Sequence, residues 1–179
     1  MAGLAGSASI LRRISSFPGT ASEPSTTGSI TENWGIEKAH KVDAFCVAGL
    51  IGGIASYFAG TAQVTGAEPD GAPTLTRARA AGAPADAPAG SIAVDALAPR
   101  RVGELVFPIT QHHVEDVVLV DDASILAAQR ALWRALRIAA EPAACVGIAA
   151  LLSGGYKPAP GENVAVVLSG ANMVPSQLG

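Results

Sequence analysis

Aromatic side chains are scarce in this chain. They make up 4% of its 179 residues although 49% are hydrophobic, so the apolar content is mostly Ala, Val, Leu and Ile. That composition suits helices packed on a sheet. Basic residues are also sparse. The net charge is -3, and the close basic pairs are Arg12-Arg13 and Arg100-Arg101. No basic stripe exists to neutralise phosphates, which excludes a nucleic-acid surface. Cysteine is limited to Cys46 and Cys145, each inside an apolar run. Both read as buried free thiols rather than a disulfide. No Cys/His pattern has zinc spacing, and His112-His113 reads as a surface loop.

Charge is missing altogether from residue 44 to residue 67. The stretch is long enough to span a membrane, and Gly49 and Gly53 have small-xxx-small spacing. Its many glycines, with Thr61, Gln63 and Thr65, argue against a span. It divides instead into a strand over 44–47, a helix over about 50–59 and a strand over 63–67, a βαβ pattern. No membrane association is expected. A secretory signal fits poorly, because no long apolar segment precedes a cleavage site, and none is expected.

Residues 1–40 are rich in Ser, Thr and Gly and lack sustained periodicity. Such a segment buries too little to offset ordering, and a disordered tail is expected there. Its first 22 residues hold Arg12, Arg13 and no acid. They weakly resemble an organellar transit peptide, so the expected location is cytoplasmic, with an organelle as the alternative.

The rest, residues 41–179, reads as one α/β domain. After the βαβ unit, 68–73 is a loop by its Pro and Gly content. A short helix is expected over 74–81 with Thr74 as N-cap, then a surface loop over 82–90. A helix over 101–108 is expected to end at Pro108. A strand follows over 116–120. Asp121 should cap a helix to about Leu136, with Ile125, Leu126, Leu132, Trp133 and Leu136 on its apolar face. Trp133 is thus assigned to the core. Another helix over about 143–152 should end at Gly154-Gly155. The last strand is an unbroken, β-branched run, Val164 to Leu168, read as fully buried. It ends in Ser169-Gly170-Ala171-Asn172, small residues where ligands of α/β sheets sit.

Six segments read together in order. They are A-G-L-I-G-G-I-A at 48–55, E-P-x-G-A at 68–72 and V-x-L-V-D-D-x-x-I at 117–125. Then come E-P at 141–142, A-A-L-L-S-G at 149–154 and V-V-L-S-G-A-N at 166–172. In this register, over about 43–176, the chain resembles the serine/threonine dehydratases (threonine ammonia-lyases). These are pyridoxal-phosphate enzymes of the tryptophan-synthase-β-like fold, fold type II. The resemblance implies a partial sheet of that fold with flanking helices, corresponding to the C-terminal half of a family member. It implies pyridoxal 5'-phosphate as cofactor, an amino acid as substrate, and loss of water to give a 2-oxo acid and ammonia.

The resemblance also implies roles for individual residues. Ser169 matches the residue that hydrogen-bonds the cofactor's ring nitrogen. A hydroxyl there leaves the nitrogen largely unprotonated, which favours elimination over transamination. Gly170 and Asn172 match the same motif, while Ala171 replaces a frequent glycine. Glu141 matches a glutamate near the ring, although Glu-Pro is also a favourable helix start in itself. Gly49 and Leu50 match the end of the phosphate-binding loop. Glu68 and the carbonyl of Ala72 match a divalent-cation site for Mg²⁺ or Ca²⁺. Thr74 stands where an acid usually completes it, so a solvated loop is the competing reading.

Two positions depart from the family pattern. Either about three residues are missing from the glycine loop that cradles the phosphate, or Cys46, Val47 and Ala48 occupy glycine positions, and in both cases β-branched Val47 resists a positive φ. The lysine that holds the cofactor and acts as base, in a Ser-x-Lys setting, has no counterpart among Lys38, Lys41 and Lys157. The expectation is a truncated family member, inactive alone. A non-catalytic α/β protein that pairs with itself or with a complementing chain is the alternative.

Overall fold

The computed structural model describes residues 41–45, 48–95 and 99–174. The expected tail over 1–40 and the expectations for Cys46 and Val47 lie outside them. The elements in chain order are β1 (Lys41–Phe45), α1 (Ala48–Phe58), β2 (Gln63–Pro69), α2 (Thr74–Ala81) and α3 (Val106–His113). They continue with β3 (Val114–Val120), α4 (Asp122–Leu136), a 3₁₀ turn (Ala143–Cys145), α5 (Val146–Ser153) and β4 (Val164–Val166). The uncharged stretch 44–67 thus resolves into strand, helix and strand. No helix among the described residues is long and apolar enough to cross a membrane.

The strands form one sheet in the order β3-β2-β1-β4. All three pairings are parallel. Parallel sheets need cover on both faces, and the core divides accordingly. Val64 of β2 packs with Ile51 and Ala55 of α1 and Leu75 and Ala78 of α2. Ala67, on the opposite face of β2, packs with Ile125, Ala128 and Leu132 of α4 and Ile148 and Ala149 of α5. Ile125 and Leu132 are fully buried, each worth about 1.5–3 kcal/mol relative to exposure. Alanine supplies eight of the fourteen buried residues of the second cluster, which is how so aromatic-poor a chain closes that face.

Helix α4 starts where its sequence says. The Asp121 carboxylate accepts from Ser124 N at 2.7 Å. That bond, with a second from the Ser124 hydroxyl, holds the Asp121 carboxyl below its ordinary range. Helix α5 ends as expected at Gly154, whose φ of 77° is left-handed and cheap for glycine.

Five local expectations are corrected. Thr74 is not a cap: it opens α2, and its hydroxyl donates to Pro99 O at 3.1 Å. Pro108 does not end a helix but sits in the first turn of α3, where a missing N–H costs nothing. His112 and His113 form the last turn of α3, not a loop. Trp133 is half-buried, with the Arg137 guanidinium 5.7 Å from its ring centroid. Strand β4 is shorter than its apolar run and only half-buried, because β1 is its sole partner in the described sheet.

Candidate functional site

The strand order creates the site's position. Chain progression runs from β1 outward to β2 and β3, then returns to place β4 on the other side of β1. The order therefore reverses at β1, and in open α/β sheets the crevice that takes ligands lies beyond the carboxyl ends of the strands at such a reversal. The register pairs Asp43 with Val166, so the carboxyl ends of β1 and β4 lie side by side.

At the β4 exit Ser169 is exposed. The next residues are held by Glu141, which follows α4. Helix α4 closes at Arg137 in the left-handed conformation, φ 57°, and the chain turns back toward β4. Glu141 N donates to Gly170 O at 3.1 Å. Asn172 N donates to Glu141 Oε2 at 3.2 Å. A Cβ on Gly170 would collide with the Glu141 carboxylate, so only glycine permits this approach. The sequence-predicted residues Glu141, Gly170 and Asn172 are thus joined directly, with Ser169 next to them.

At the β1 exit α1 begins at Ala48 with no acidic residue in its first turn. Gly49 is exposed, with nothing within 4 Å of where a Cβ would stand, and Leu50 is half-buried. An exposed helix N-terminus offers unpaired N–H donors and a positive dipole end to an anion. A hydroxyl at one strand exit and a helix N-terminus at the neighbouring exit are the groups that a pyridine nitrogen and a phosphate require.

Glu68 and Ala72 are not part of this constellation. Glu68 is near the end of β2 and Ala72 just past it, on the far side of β1. Glu68 Oε1 accepts from Leu75 N at 2.6 Å, and Oε2 accepts from Thr76 N and Thr76 Oγ1, both at 2.9 Å. The side chain caps α2 from outside the helix, although burial still pushes its carboxyl above the ordinary range. The Ala72 carbonyl accepts from Thr74 N at 3.0 Å. Among the described residues no group of three or more His, Cys, Asp or Glu side chains is placed to hold a metal.

The described lysines stand away from the crevice. Lys41 opens β1 and pairs with Val164, at the amino ends of the strands. Lys157 is exposed in the segment that leads into β4. An open cleft of about 550 Å³ lined by Gln63, Tyr156, Lys157 and Glu162 lies at that same end.

Sequence reasoning missed the groups behind Glu141. Gln129 Nε2 donates to Ala140 O at 2.8 Å. The Cys145 thiol lies 3.9 Å from the same oxygen. Burial and the Glu141 charge push that thiol up to about 12. The available signal was a glutamine on the apolar stripe of α4.

A parallel sheet whose order reverses at β1, with helices on both faces, defines an α/β protein. A profile of the family described as "pyridoxal-phosphate dependent enzyme" matches residues 23–170, and the chain belongs to that family. The match begins inside the segment that composition alone assigned to a tail. The serine racemase of Arabidopsis thaliana is 29% identical over 149 residues, covering 77% of this chain and 45% of that protein. The biosynthetic L-threonine dehydratase of Haemophilus influenzae is 32% identical over 131 residues, covering 70% of this chain and 25% of its own. The structure of maize serine racemase superposes with a TM-score of 0.71 at 28% identity, covering 80% of this chain and 46% of that one. This chain spans less than half the length of each of these relatives.

Proposed function

We propose that this chain binds pyridoxal 5'-phosphate in the β1/β4 crevice and does not turn over amino acids alone. The carrying observation is the clasp of Glu141 on Gly170 and Asn172 just past β4, the strand that pairs with β1. When bound, the cofactor supplies an electron sink for carbanion chemistry on amino acids. In this reading the Ser169 hydroxyl donates to the ring nitrogen. The clasp between Glu141 and Asn172 fixes the backbone that carries Ser169. The first amides of α1, around Gly49 and Leu50, hold the phosphate. A group that attaches the cofactor covalently and moves the substrate's α-proton must come from outside the described residues, since Lys41 and Lys157, the lysines among them, lie at the amino ends of the strands. With such a group supplied, the chemistry is that of a serine/threonine dehydratase or serine racemase, acting on a small hydroxy amino acid.

Equilibrium dialysis of the full chain against pyridoxal 5'-phosphate tests the reading. Saturable binding is expected, and Ser169→Ala should weaken it about tenfold, the size of one hydrogen bond to a polar heterocycle. After borohydride reduction, peptide mass spectrometry should find no cofactor fixed to Lys41 or Lys157 beyond an unfolded control. L-serine and L-threonine should release no 2-oxo acid. Binding that is absent or indifferent to Ser169→Ala overturns the site. Steady release of 2-oxo acid overturns the inactivity.

A further inference from the structure

Gln129 is 4% exposed and stands on the buried stripe of α4 between Ile125 and Leu132. An amide at such a position is costly unless it is paired. Its Nε2 donates to the carbonyl of Ala140 at 2.8 Å. That carbonyl and the N–H of Glu141 are two ends of one peptide group. The N–H end donates to Gly170 O at 3.1 Å. A single peptide plane is therefore gripped from both ends, by α4 at its oxygen and by the β4 exit at its nitrogen. Donation into the oxygen polarises the plane and strengthens the N–H as a donor. The Cys145 thiol, 3.9 Å from the same oxygen, adds a weak second donor. One residue on, the Glu141 carboxylate accepts from Asn172 N.

We propose that Gln129 is a positioning residue for the Ser169–Asn172 segment, acting through the Ala140–Glu141 peptide without touching ligand. An ordinary core amide would only add stability, spread over the domain. A positioning amide controls one locus: without the Gln129 donor only the weak Cys145 thiol is left at the Ala140 oxygen, and the Gly170 and Asn172 contacts loosen as the Ala140–Glu141 plane gains freedom to rotate. The effect on cofactor binding rests on the pyridoxal-phosphate reading. The grip itself does not.

Residue-resolved amide exchange on the full chain separates these cases. Gln129→Met keeps the length and removes the donor. Exchange at Glu141 and Asn172 should accelerate about tenfold or more, while Leu75 and Thr76, bonded to Glu68 across the sheet, keep their native rates. Affinity for pyridoxal 5'-phosphate should fall about fivefold. Equal acceleration at all four amides, or none at Glu141 and Asn172, overturns the proposal. So does unchanged cofactor affinity alongside a loosened Glu141. Should the wild-type chain bind no cofactor, the proposed function fails, and the exchange rates alone judge the grip. Should Gln129→Met not fold, the wild-type side-chain amide decides. Slow exchange of the Gln129 Nε2 protons supports the grip, and exchange at the rate of a free glutamine overturns it.

Discussion

The Glu141 carboxylate fills the volume that a side chain on Gly170 would need, while the backbone N–H of Glu141 donates to Gly170 O. Contact and hydrogen bond fix the same two residues in one arrangement. Gly170→Ala should therefore cost about 1–3 kcal/mol, as inserted methyl groups do in packed sites. Glu141→Ala vacates the space. In a double-mutant cycle read by urea denaturation, the pair should cost less than the sum of the singles by at least about 0.5 kcal/mol. Strict additivity would show that the two residues do not meet.

Glu68 does the work of an N-cap from another element. Glu68→Ala orphans the Leu75 and Thr76 amides and should cost about 1–3 kcal/mol, seen as a lower thermal midpoint.

The same carboxyl gives a pH signature. Burial, outweighing the hydrogen bonds from Leu75 and Thr76, raises it above its ordinary value of 4.5. The folded state thus holds the proton more tightly than the unfolded state. Its contribution is present below pH 4.5 and is lost as pH rises through the folded value. Across that window wild type should lose stability relative to Glu68→Gln. Parallel pH profiles of the two proteins would refute the assignment.

Magnesium and calcium should leave the thermal midpoint within about 1 °C at millimolar concentration, because a ligand that does not bind the folded state cannot stabilise it. Both Glu68 oxygens and the Ala72 carbonyl already accept backbone donors. A rise of several degrees that Glu68→Ala abolishes would restore the cation site.

Cys145 should resist iodoacetamide at pH 8 in the folded chain and react once the chain is denatured, as peptide mapping will show. Only the thiolate reacts, and this thiol is raised from 9.0 to about 12, first by burial and then by the Glu141 charge. Its contribution to stability is whole below pH 9 and disappears as pH climbs through 12. Cys145→Ala should flatten that alkaline decline.

The elements that the sequence disclosed were those with a chemical marker at their ends. Asp121 announced α4, Gly154 closed α5, and the glycine-rich stretch 48–53 fell on α1. Motif order also led to Glu141, Gly170 and Asn172 before their contacts were known. What stayed hidden depends on partners distant in sequence. Nothing near Thr74 reveals that its helix is capped by Glu68. A proline at 108 is equally compatible with the end of one helix and the first turn of another. The β-branched run 164–168 looked like an interior strand because composition cannot report whether a strand has one neighbour or two. Gln129 lies on α4, and a polar residue on the buried side of that helix was the available clue.

The return of β4 to the side of β1 has a kinetic consequence. The Lys41–Val164 and Asp43–Val166 pairs close the longest loop in the sheet, whereas β1 meets β2 over a short βαβ unit. Long closures are entropically late and slow. The β1/β4 pairing is therefore expected to close after the β1/β2 unit. Destabilising β4 should reduce the yield of ligand-competent molecules long before it unravels α4 and α5.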